Sequence, residues 1–313
     1  MNKKPKIFID GQEGTTGLQI YDRLSARDDI ELLTIPESQR KDPDARRERM
    51  NNADLVFLCL PDQAAIEAVT LIENPSTRII DASTAHRTKP DWTYGFPELS
   101  PGHRTAIQNS RRIANPGCHA TGFISSVYPL VTAGLIPDDC PLTCFSLTGY
   151  SGGGRKMIAQ YEGEKTGGMY SPRVYGLNLR HKHLPEMQKI CGLKRAPVFC
   201  PVVDDYYKGM ATTIMLQNAL LRPSTTSEDI HAALTAHYNG EKLVRVAPFG
   251  WDQPMIDANT MAGKDSLLLI VNGAGEQTIV TALFDNLGKG ASGAAVQNMN
   301  LALGFPETKG LEG

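Results

Sequence analysis

A cysteine that could act as a nucleophile lies within residues 115–122, Asn-Pro-Gly-Cys-His-Ala-Thr-Gly. The Pro-Gly pair interrupts regular structure, and the apolar spacing that follows it predicts a helix beginning near Cys118. A helix N-terminus favours thiolate over thiol, and the thiolate is the reactive form of cysteine. A free cysteine is more commonly a small buried apolar residue, which is our interpretation of Cys59 and Cys144. For Cys118 the residues alone leave both interpretations open.

Two histidines and a carboxylate lie within six residues, as His181, His183 and Glu186. A reaction at a cysteine needs a group that moves a proton, and we predict His183, or else His181, for that role. No cysteine or third histidine is near in sequence, so we predict no metal site. The alternative interpretation is an exposed polar helix start. We expect His119 to point away from Cys118, because successive helix residues do not share a face.

A glycine-rich turn follows the first predicted strand, residues 6–10, and precedes an amphipathic stretch. This is the context of a dinucleotide-binding turn, in which backbone N–H groups and the helix dipole meet the pyrophosphate. The spacing is G-x-x-G-x-x-G rather than G-x-G-x-x-G, so an ordinary strand–helix turn is the alternative. The residues predicted to bind the cofactor here are Gly11, Gly14, Thr15, Thr16 and Gly17.

The segment after the second predicted strand bears on the choice between NAD and NADP. Glu37 suits the ribose 2′-hydroxyl of NAD, whereas Ser38, Arg40 and Lys41 suit the 2′-phosphate of NADP. A solvated charged loop is the alternative. We predict NADP as the cofactor, with contacts from Ser38 and Arg40.

Two further polar clusters could meet ligands. One follows a strand as Ser-Gly-Gly-Gly-Arg at 151–155 and could present N–H groups and a cation, unless it is only a flexible turn. The other, residues 81–87, lies at the carboxyl end of the fourth strand, where α/β proteins bind ligands. We predict cofactor contacts from Ser83, Ser151, Gly152 and Gly154, and substrate contacts from Arg87 and Arg155.

Short apolar strands alternate with helical stretches in the first part of the chain, which predicts an α/β, Rossmann-type nucleotide-binding domain with a parallel sheet. The strands are expected at 6–10, 30–35, 53–60 and 78–81, with a helix at 64–72. After about residue 140 strands dominate, which predicts an α+β domain with a mixed sheet. These strands are expected at 142–149, 197–203, 211–220, 243–247, 266–272 and 276–284.

Only two clear helical stretches interrupt the second set of strands, at 182–191 and 228–238. Thr225 to Glu228 resembles a capping box for the second of them. A last helix is expected at about 291–303.

Composition narrows the class of protein. The 313 residues are enough for two domains, and 41% hydrophobic and 21% charged residues are ordinary globular values. The net charge of −2 gives no reason to expect nucleic acid as a partner. No segment has 18 continuous apolar residues, so no membrane span is expected. Six cysteines without a Cys-x-x-Cys pair suggest thiols of a cytoplasmic protein.

Seven segments in one order give the chain a family resemblance that runs nearly end to end. It resembles the N-acetyl-γ-glutamyl-phosphate reductase family, in particular its shorter form. That family is similar in fold and chemistry to aspartate-semialdehyde dehydrogenase and, more distantly, to glyceraldehyde-3-phosphate dehydrogenase. In both of these relatives the residues before the cysteine differ from Pro-Gly, which favours the reductase family. The segments are Gly11–Gly17, Asp81–Arg87, Tyr94–Glu98, Asn115–Thr121, Ser151–Arg155, His181–Glu186 and Asp285–Ala291.

The resemblance implies a reaction and a division into domains. The reaction is reduction of N-acetyl-glutamyl 5-phosphate by NADPH to the 5-semialdehyde, in arginine biosynthesis. Residues 1–117 and 286–313 would form the NADP-binding domain, with Asn286 near the nicotinamide, and 118–285 the catalytic and substrate domain. Asn115 and Glu186 would contact the substrate, and we expect a homodimer or homotetramer. His119 stands where a tyrosine is frequent in that family, and His86 replaces an aromatic residue. These two differences affect which residues contact the substrate, not the identity of the nucleophile.

The mechanism that follows as a hypothesis begins with attack of the Cys118 thiolate on the acyl phosphate, which gives a thioester. Hydride transfer and collapse of the thiohemiacetal then release the aldehyde. Two other functions remain open at this point. One is aspartate-semialdehyde dehydrogenase, and the other is a nucleotide-binding redox sensor in which Cys118 is a switch without turnover.

Overall fold

The computed structural model describes residues 4–313, so the first three residues of the predicted first domain lie outside it. The chain forms two compact units. The first comprises the chain up to Pro116 together with Ala291–Leu311, and the second comprises Gly117–Gly290 with Glu312–Gly313. The second unit includes the segment just after residue 286, which the sequence analysis assigned to the first domain. The reason is local, since the N–H of Gly290 donates to the carbonyl of Asp285, 3.0 Å away, and keeps this turn within the second unit.

The first unit contains a six-stranded parallel sheet with the order β2-β1-β3-β4-β6-β5. Its strands are β1 (Lys6–Asp10), β2 (Glu31–Leu33), β3 (Leu55–Leu58), β4 (Arg78–Asp81), β5 (Thr93–Tyr94) and β6 (Arg112–Ala114). The helices between them are α1 (Thr15–Ser25), α2 (Pro43–Asn52), α3 (Asp62–Thr70) and α4 (Pro101–Asn109). The predicted Rossmann-type parallel sheet is therefore confirmed.

Apolar residues that alternate along the central strands build a core on each face of this sheet. Ile7 and Ile9 of β1 belong to one apolar cluster, whereas Phe8 between them belongs to a second cluster with Met50 of α2. Side chains of a strand point to opposite faces in turn, so a strand buried on both faces reads as a continuous apolar run. This is why β1 and β3 are visible in the sequence.

Two helices of this unit carry weak sequence signals and were not predicted. Only Met50 is buried in α2, which has no apolar stripe, and the helix is marked by Asp42, whose side chain accepts the N–H of Asp44. The helix α4 begins in the same way, with the Ser100 hydroxyl accepting the N–H of His103. In both, a capping residue followed by proline at the first helical position starts the helix.

The second unit contains a seven-stranded mixed sheet with the order β11-β12-β13-β10-β7-β9-β8. Its helices are α5 (Cys118–Thr132), α6 (Gly154–Glu162), α7 (Leu184–Ile190) and α8 (Ser227–His237). Its strands are β7 (Thr143–Gly149), β8 (Arg173–Val174), β9 (Val198–Asp204), β10 (Met210–Gln217), β11 (Val244–Val246), β12 (Leu267–Ala274) and β13 (Gln277–Phe284). The predicted mixed sheet is confirmed.

Three details of this unit differ from or extend the sequence predictions. The helix α6 begins in the glycine cluster and runs to Glu162, so it is a further helix among strands that we predicted to be interrupted by only two. The capping box of α8 is formed by Thr226 and Asp229, one residue later than predicted. After a π-helical turn at Gly288–Ser292 the chain enters α9 (Gly293–Leu303), which belongs to the first unit and matches the predicted last helix. Among the helices of residues 4–313, none is long and apolar enough to cross a membrane.

Candidate active site

Cys118 is the first residue of α5, so the predicted helix start is confirmed. Gly117 precedes it in an extended conformation, with φ −81° and ψ 147°, and no side chain caps the first turn. The thiol is half-buried. The backbone of Gly290 approaches it closely, because a Cβ on Gly290 would lie 3.1 Å from the Cβ of Cys118. The unbonded N–H groups of a helix start stabilise a thiolate at this position.

Cys59 and Cys144 have surroundings that keep a thiol protonated. Cys144 is 1% exposed in β7, and burial raises its pKa. Burial also raises the pKa of Cys59, with a further contribution from the carboxylates of Asp81 and Asp10. Within residues 4–313 none of the six cysteines forms a disulfide. A raised pKa leaves little thiolate at neutral pH, which agrees with the structural role we assigned to Cys59 and Cys144.

Three histidine rings cluster in the second unit. His183 is 4% exposed and immediately precedes α7. Its ring centroid lies 4.8 Å from that of His181 and 5.8 Å from that of His119. The alternative interpretation of residues 181–186 as an exposed polar helix start is therefore wrong for His183 and Glu186, which are buried. His119, which we expected only to point away from Cys118, joins this cluster.

Hydrogen bonds fix the ring of His119 on both sides. Its Nδ1 lies 2.8 Å from the Ser146 hydroxyl, and its Nε2 lies 2.7 Å from the Tyr175 hydroxyl. Burial lowers the pKa of His119 to about 3, helped by the charges of His181 and Lys182. Burial likewise lowers the pKa of His181 to about 4, with the positive charge of Lys182 adding to the effect. Both imidazoles are therefore neutral near pH 7.

These two histidines predict how acid affects stability. Their folded-state pKa values, about 3 for His119 and about 4 for His181, lie below the ordinary value of 6.5. Below pH 6.5 the unfolded chain binds more protons than the folded chain, so the free energy of unfolding falls as pH drops toward those values. We expect His119→Gln to flatten this pH dependence. Urea unfolding followed by circular dichroism across this range tests it, and an unchanged slope in the variant contradicts it.

The sequence alone did not point to two further residues of this region, the half-buried Tyr175 and the buried Lys289. Burial, together with the negative charge of the Cys118 thiolate, raises the pKa of Tyr175, so its hydroxyl keeps its proton. Lys289 is buried in the turn that ends beside Cys118. Tyr175 follows the two-residue strand β8 and has no local motif, whereas Lys289 was visible only as part of a longer family segment.

Glu186 lies in the first turn of α7 and is 1% exposed. Its Oε1 accepts a hydrogen bond from the N–H of Gly117, with the two atoms 2.8 Å apart. The carboxylate predicted to contact the substrate is therefore bonded to the backbone just before Cys118.

The glycine cluster at 151–154 is held by Asn286. The Asn286 Nδ2 donates to the Ser151 hydroxyl at 2.9 Å, and its Oδ1 accepts the N–H of Gly209 at 2.9 Å. Gly154 adopts a positive φ of 74°, which favours glycine, and α6 begins there. Gly152 and Arg155 are exposed. Ser151 and Asn286, both predicted to meet the cofactor, thus lie together within the second unit.

The glycine-rich turn of the first unit is a cradle that side chains would fill. A Cβ on Gly11, whose φ is 84°, would lie 2.4 Å from the carbonyl oxygen of Cys59, and one on Gly17 would lie 2.4 Å from that of Gly11. The buried Thr15 Oγ1 has no hydrogen-bond partner in the described part of the chain. No side chain caps the start of α1. Open N–H groups and an unsatisfied hydroxyl fit a dinucleotide pyrophosphate.

The sheet order places this turn where parallel sheets bind ligands. The chain passes from β1 outward to β2 and then returns to β3 on the other side of β1. The turns after β1 and β3 therefore diverge at a topological switch point, outside the carboxyl ends of the strands.

Gly14 offers a test of the cradle that spares the fold. A Cβ there would meet only carbonyl oxygens at 3.4 and 3.6 Å, which is close to ordinary contact. We expect Gly14→Ala to keep the melting temperature of the wild type and to raise the NADPH dissociation constant about tenfold or more, because the methyl group blocks backbone approach to the pyrophosphate. Fluorescence titration with NADPH measures this. Gly102→Ala in α4, where a Cβ meets only the Ser100 hydroxyl at 3.5 Å, is the control, and unchanged affinity in Gly14→Ala contradicts the assignment.

The predicted 2′-phosphate residues follow β2 in the first unit. Ser38 is exposed in a short 3₁₀ turn, Glu37–Gln39, and Arg40 comes directly after it. The Arg40 guanidinium forms an ion pair with Glu13 of the glycine-rich turn. The structure thus brings Arg40 to the same turn as the predicted pyrophosphate residues.

A polar cluster follows β4 around the fully buried carboxylate of Asp81. The Ser83 hydroxyl donates to Asp81 at 2.7 Å, and His86 Nδ1 lies 2.6 Å from the same carboxylate. His86 also stacks on Trp92, with ring centroids 4.1 Å apart. These contacts fix the loop at the carboxyl end of β4.

Two predicted substrate residues of the first unit are engaged with the backbone. Arg87 donates from Nε to the carbonyl of Asn115 and from Nη2 to that of Ala82. The Asn115 side chain donates to the carbonyl of Ala291 at 3.0 Å and accepts from Asn298 at 3.1 Å. These contacts give both side chains a structural role; their predicted contacts with substrate stay a prediction.

Comparison with known proteins decides the family. Residues 6–107 match the family model described as the semialdehyde dehydrogenase NAD binding domain, and 118–286 match its dimerisation domain. A curated relative from Nostoc sp., N-acetyl-gamma-glutamyl-phosphate reductase 2, is 47% identical over 98% of this chain and 99% of its own length. The chain belongs to the N-acetyl-gamma-glutamyl-phosphate reductase family. A relative of that name from Sinorhizobium fredii is 49% identical over 96% of this chain and 99% of its own length.

Solved structures agree on the fold. Aspartate semialdehyde dehydrogenase II from Vibrio cholerae, complexed with ASA, superposes with a TM-score of 0.73 at 16% identity, covering 96% of this chain and 99% of that one. At this identity the similarity concerns the fold alone. Membership of the reductase family confirms the predicted resemblance and the enzyme class, an oxidoreductase that uses NADP(H).

Proposed function

We propose that this chain reduces N-acetyl-L-glutamyl 5-phosphate to N-acetyl-L-glutamate 5-semialdehyde with NADPH, as a step of arginine biosynthesis. The observation that carries the proposal is Cys118 at the first residue of α5, next to His119, whose ring contacts the buried His183, in a chain of this family. A thiolate held at a helix start beside histidines is suited to acyl transfer.

The first half of the reaction forms a thioester. The Cys118 sulfur bonds to the acyl carbon while the bond from that carbon to the phosphate oxygen breaks, and phosphate leaves with the electron pair. The N–H groups of the first turn of α5 stabilise the negative charge that develops on the acyl oxygen. Losing one such donor typically costs about 10²–10³ in rate.

The second half returns the thiolate. When bound, NADPH would supply a hydride to the thioester carbon. The sulfur–carbon bond then breaks, so that the aldehyde leaves and Cys118 is a thiolate again. We assign His183 to donate a proton to the oxygen of the thiohemiacetal and take it back on collapse. His181 is the second candidate, although its pKa of about 4 leaves very little of it protonated near pH 7.

The remaining site residues are assigned by the part of the ligand that they suit. The residues suited to the pyrophosphate are those of the glycine-rich turn, which has the open backbone and the unsatisfied Thr15 hydroxyl: Gly11, Gly14, Thr15, Thr16 and Gly17. Ser38 and Arg40 suit the 2′-phosphate, and Ser83, Ser151, Gly152, Gly154 and Asn286 suit the rest of the cofactor. Arg155, exposed at the start of α6, can meet an anionic group of the substrate, and Arg87 and Asn115 are its further candidates.

The deciding experiment compares substrates and cofactors. We expect NADPH oxidation with N-acetyl-glutamyl phosphate, slower oxidation of NADH, and little activity with aspartyl phosphate, which is shorter and has a free amine. Faster turnover of aspartyl phosphate would instead indicate aspartate-semialdehyde dehydrogenase. No hydride transfer with either acyl phosphate would favour a redox sensor.

We also propose that two or more copies assemble through the open face of the second sheet. Met215 of β10 and Ile279 of β13 are directly paired across the strands and are 46% and 40% exposed. An exposed apolar patch of this kind is typical of an interface, and the segment matches a dimerisation domain. A homodimer or homotetramer follows, in the cytoplasm, where reduced cysteines are expected.

A further inference from the structure

We infer that Glu186 is a positioning residue that fixes the backbone of the nucleophile relative to the proposed base, rather than a contact of the substrate. The inference rests on the proposed function, in which Cys118 is the nucleophile. Its basis is the hydrogen bond from the N–H of Gly117 to Glu186 Oε1, 2.8 Å long and buried.

This bond joins the starts of two helices that carry different parts of the chemistry. Gly117 immediately precedes Cys118, the first residue of α5. Glu186 is in the first turn of α7, and His183 immediately precedes that helix. The two partners are 69 residues apart in sequence. A charge-assisted hydrogen bond between them therefore fixes the backbone before Cys118 relative to the backbone of His183.

Glu186 has a hydrogen-bond partner within the protein, without a substrate. The first turn of α7 presents the positive end of its helix dipole to this side chain. The start of α5 adds the N–H of Gly117. A buried carboxylate needs such partners, because burying an unpaired charge is costly.

The chemistry of the proposed substrate argues against a direct contact. N-acetyl-glutamyl phosphate carries a carboxylate and a phosphate, and its nitrogen is a neutral amide. It therefore offers a buried carboxylate one neutral N–H donor and no cation, and its two anionic groups would be repelled by Glu186. A role toward the protein backbone has no such conflict.

Two substitutions separate positioning from substrate binding. Glu186→Met removes the acceptor at similar length, whereas Glu186→Gln keeps an oxygen that can accept the Gly117 N–H. We expect the methionine variant to lose about 10²-fold in kcat with a smaller change in KM, since a small displacement of a reacting group has an effect of that size. The glutamine variant restores kcat to near the wild-type value.

A second readout needs no substrate. The rate at which iodoacetamide alkylates Cys118 rises with pH to a plateau, at which the thiol is fully ionised. We expect the plateau rate to change several-fold in Glu186→Met, because the loop before α5 loses its anchor, and to match the wild type in Glu186→Gln.

Glu228→Met, which removes an exposed carboxylate from the first turn of α8, is the matched control and leaves both readouts unchanged. If Glu186→Met raises only KM and its alkylation plateau equals that of the wild type, Glu186 contacts the substrate and the inference is wrong. Equal loss of kcat in the methionine and glutamine variants also overturns it. Should the methionine variant fail to fold, Glu186→Asp, one methylene too short to reach Gly117, gives the same test. Failure of the proposed function is recognised separately, by turnover that survives Cys118→Ser.

Discussion

Cys118→Ser is expected to reduce turnover by at least about 10³-fold while leaving NADPH binding unchanged. The reason lies in the start of α5, which can stabilise a thiolate but cannot ionise a serine hydroxyl near neutral pH. The glycine-rich turn of the first unit is untouched by the change. NADPH oxidation with N-acetyl-glutamyl phosphate measures the first effect, and fluorescence titration with NADPH measures the second.

Intact-protein mass spectrometry adds direct evidence. Wild-type protein mixed with the acyl phosphate and no NADPH should gain the mass of the acyl group, and Cys118→Ser should not. Cys200→Ser is the matched control, because Cys200 is also half-buried but lies in strand β9 rather than at a helix start. Near-normal turnover in Cys118→Ser, or equal losses in both variants, would show that the thioester mechanism is wrong.

The second large effect is expected at His183. We expect His183→Asn to lower kcat about 10²–10⁴-fold, the usual contribution of a general acid–base group. His183 is buried at the start of α7, three residues before the glutamate that is bonded to Gly117. His181→Asn should have a much smaller effect, because the pKa of about 4 keeps His181 neutral throughout the working range.

Steady-state rates of the two variants at several pH values distinguish the roles. His237→Asn, at the end of α8, is the control for general loss of a histidine. If kcat falls further in His181→Asn than in His183→Asn, His181 is the residue that transfers the proton and His183 is not. If both variants keep the wild-type kcat, neither His181 nor His183 transfers the proton.

Features that depend on neighbours in sequence were predictable. The buried strand β3 is a continuous apolar run, β1 and β4 each contain a short one, and the turn after β1 is visible from its three glycines. The position of Cys118 at a helix start follows from the Pro-Gly pair and the apolar spacing beyond it. In each case the signal and the structure lie within one short segment.

Features that depend on distant residues were not predictable from one sequence. Nothing near Gly117 indicates that its N–H meets Glu186, 69 residues later. His119 was judged only against Cys118 on its own helix, whereas its ring is placed by Ser146 and Tyr175. The helices α2 and α4 lack an apolar stripe or are short, so only their caps could have marked them.

The places where the chain passes between the two units have a topological consequence. In the first unit Asn115 bonds the carbonyl of Ala291, so the residues on either side of the excursion are neighbours. In the second unit Gly290 lies against Cys118, so its own two ends also meet. Residues 117–290 are thus an insertion into a loop of the first unit, and the two ends of that loop lie close together. Cys118 is the second residue of that inserted segment, and Gly290, its last residue, lies against it.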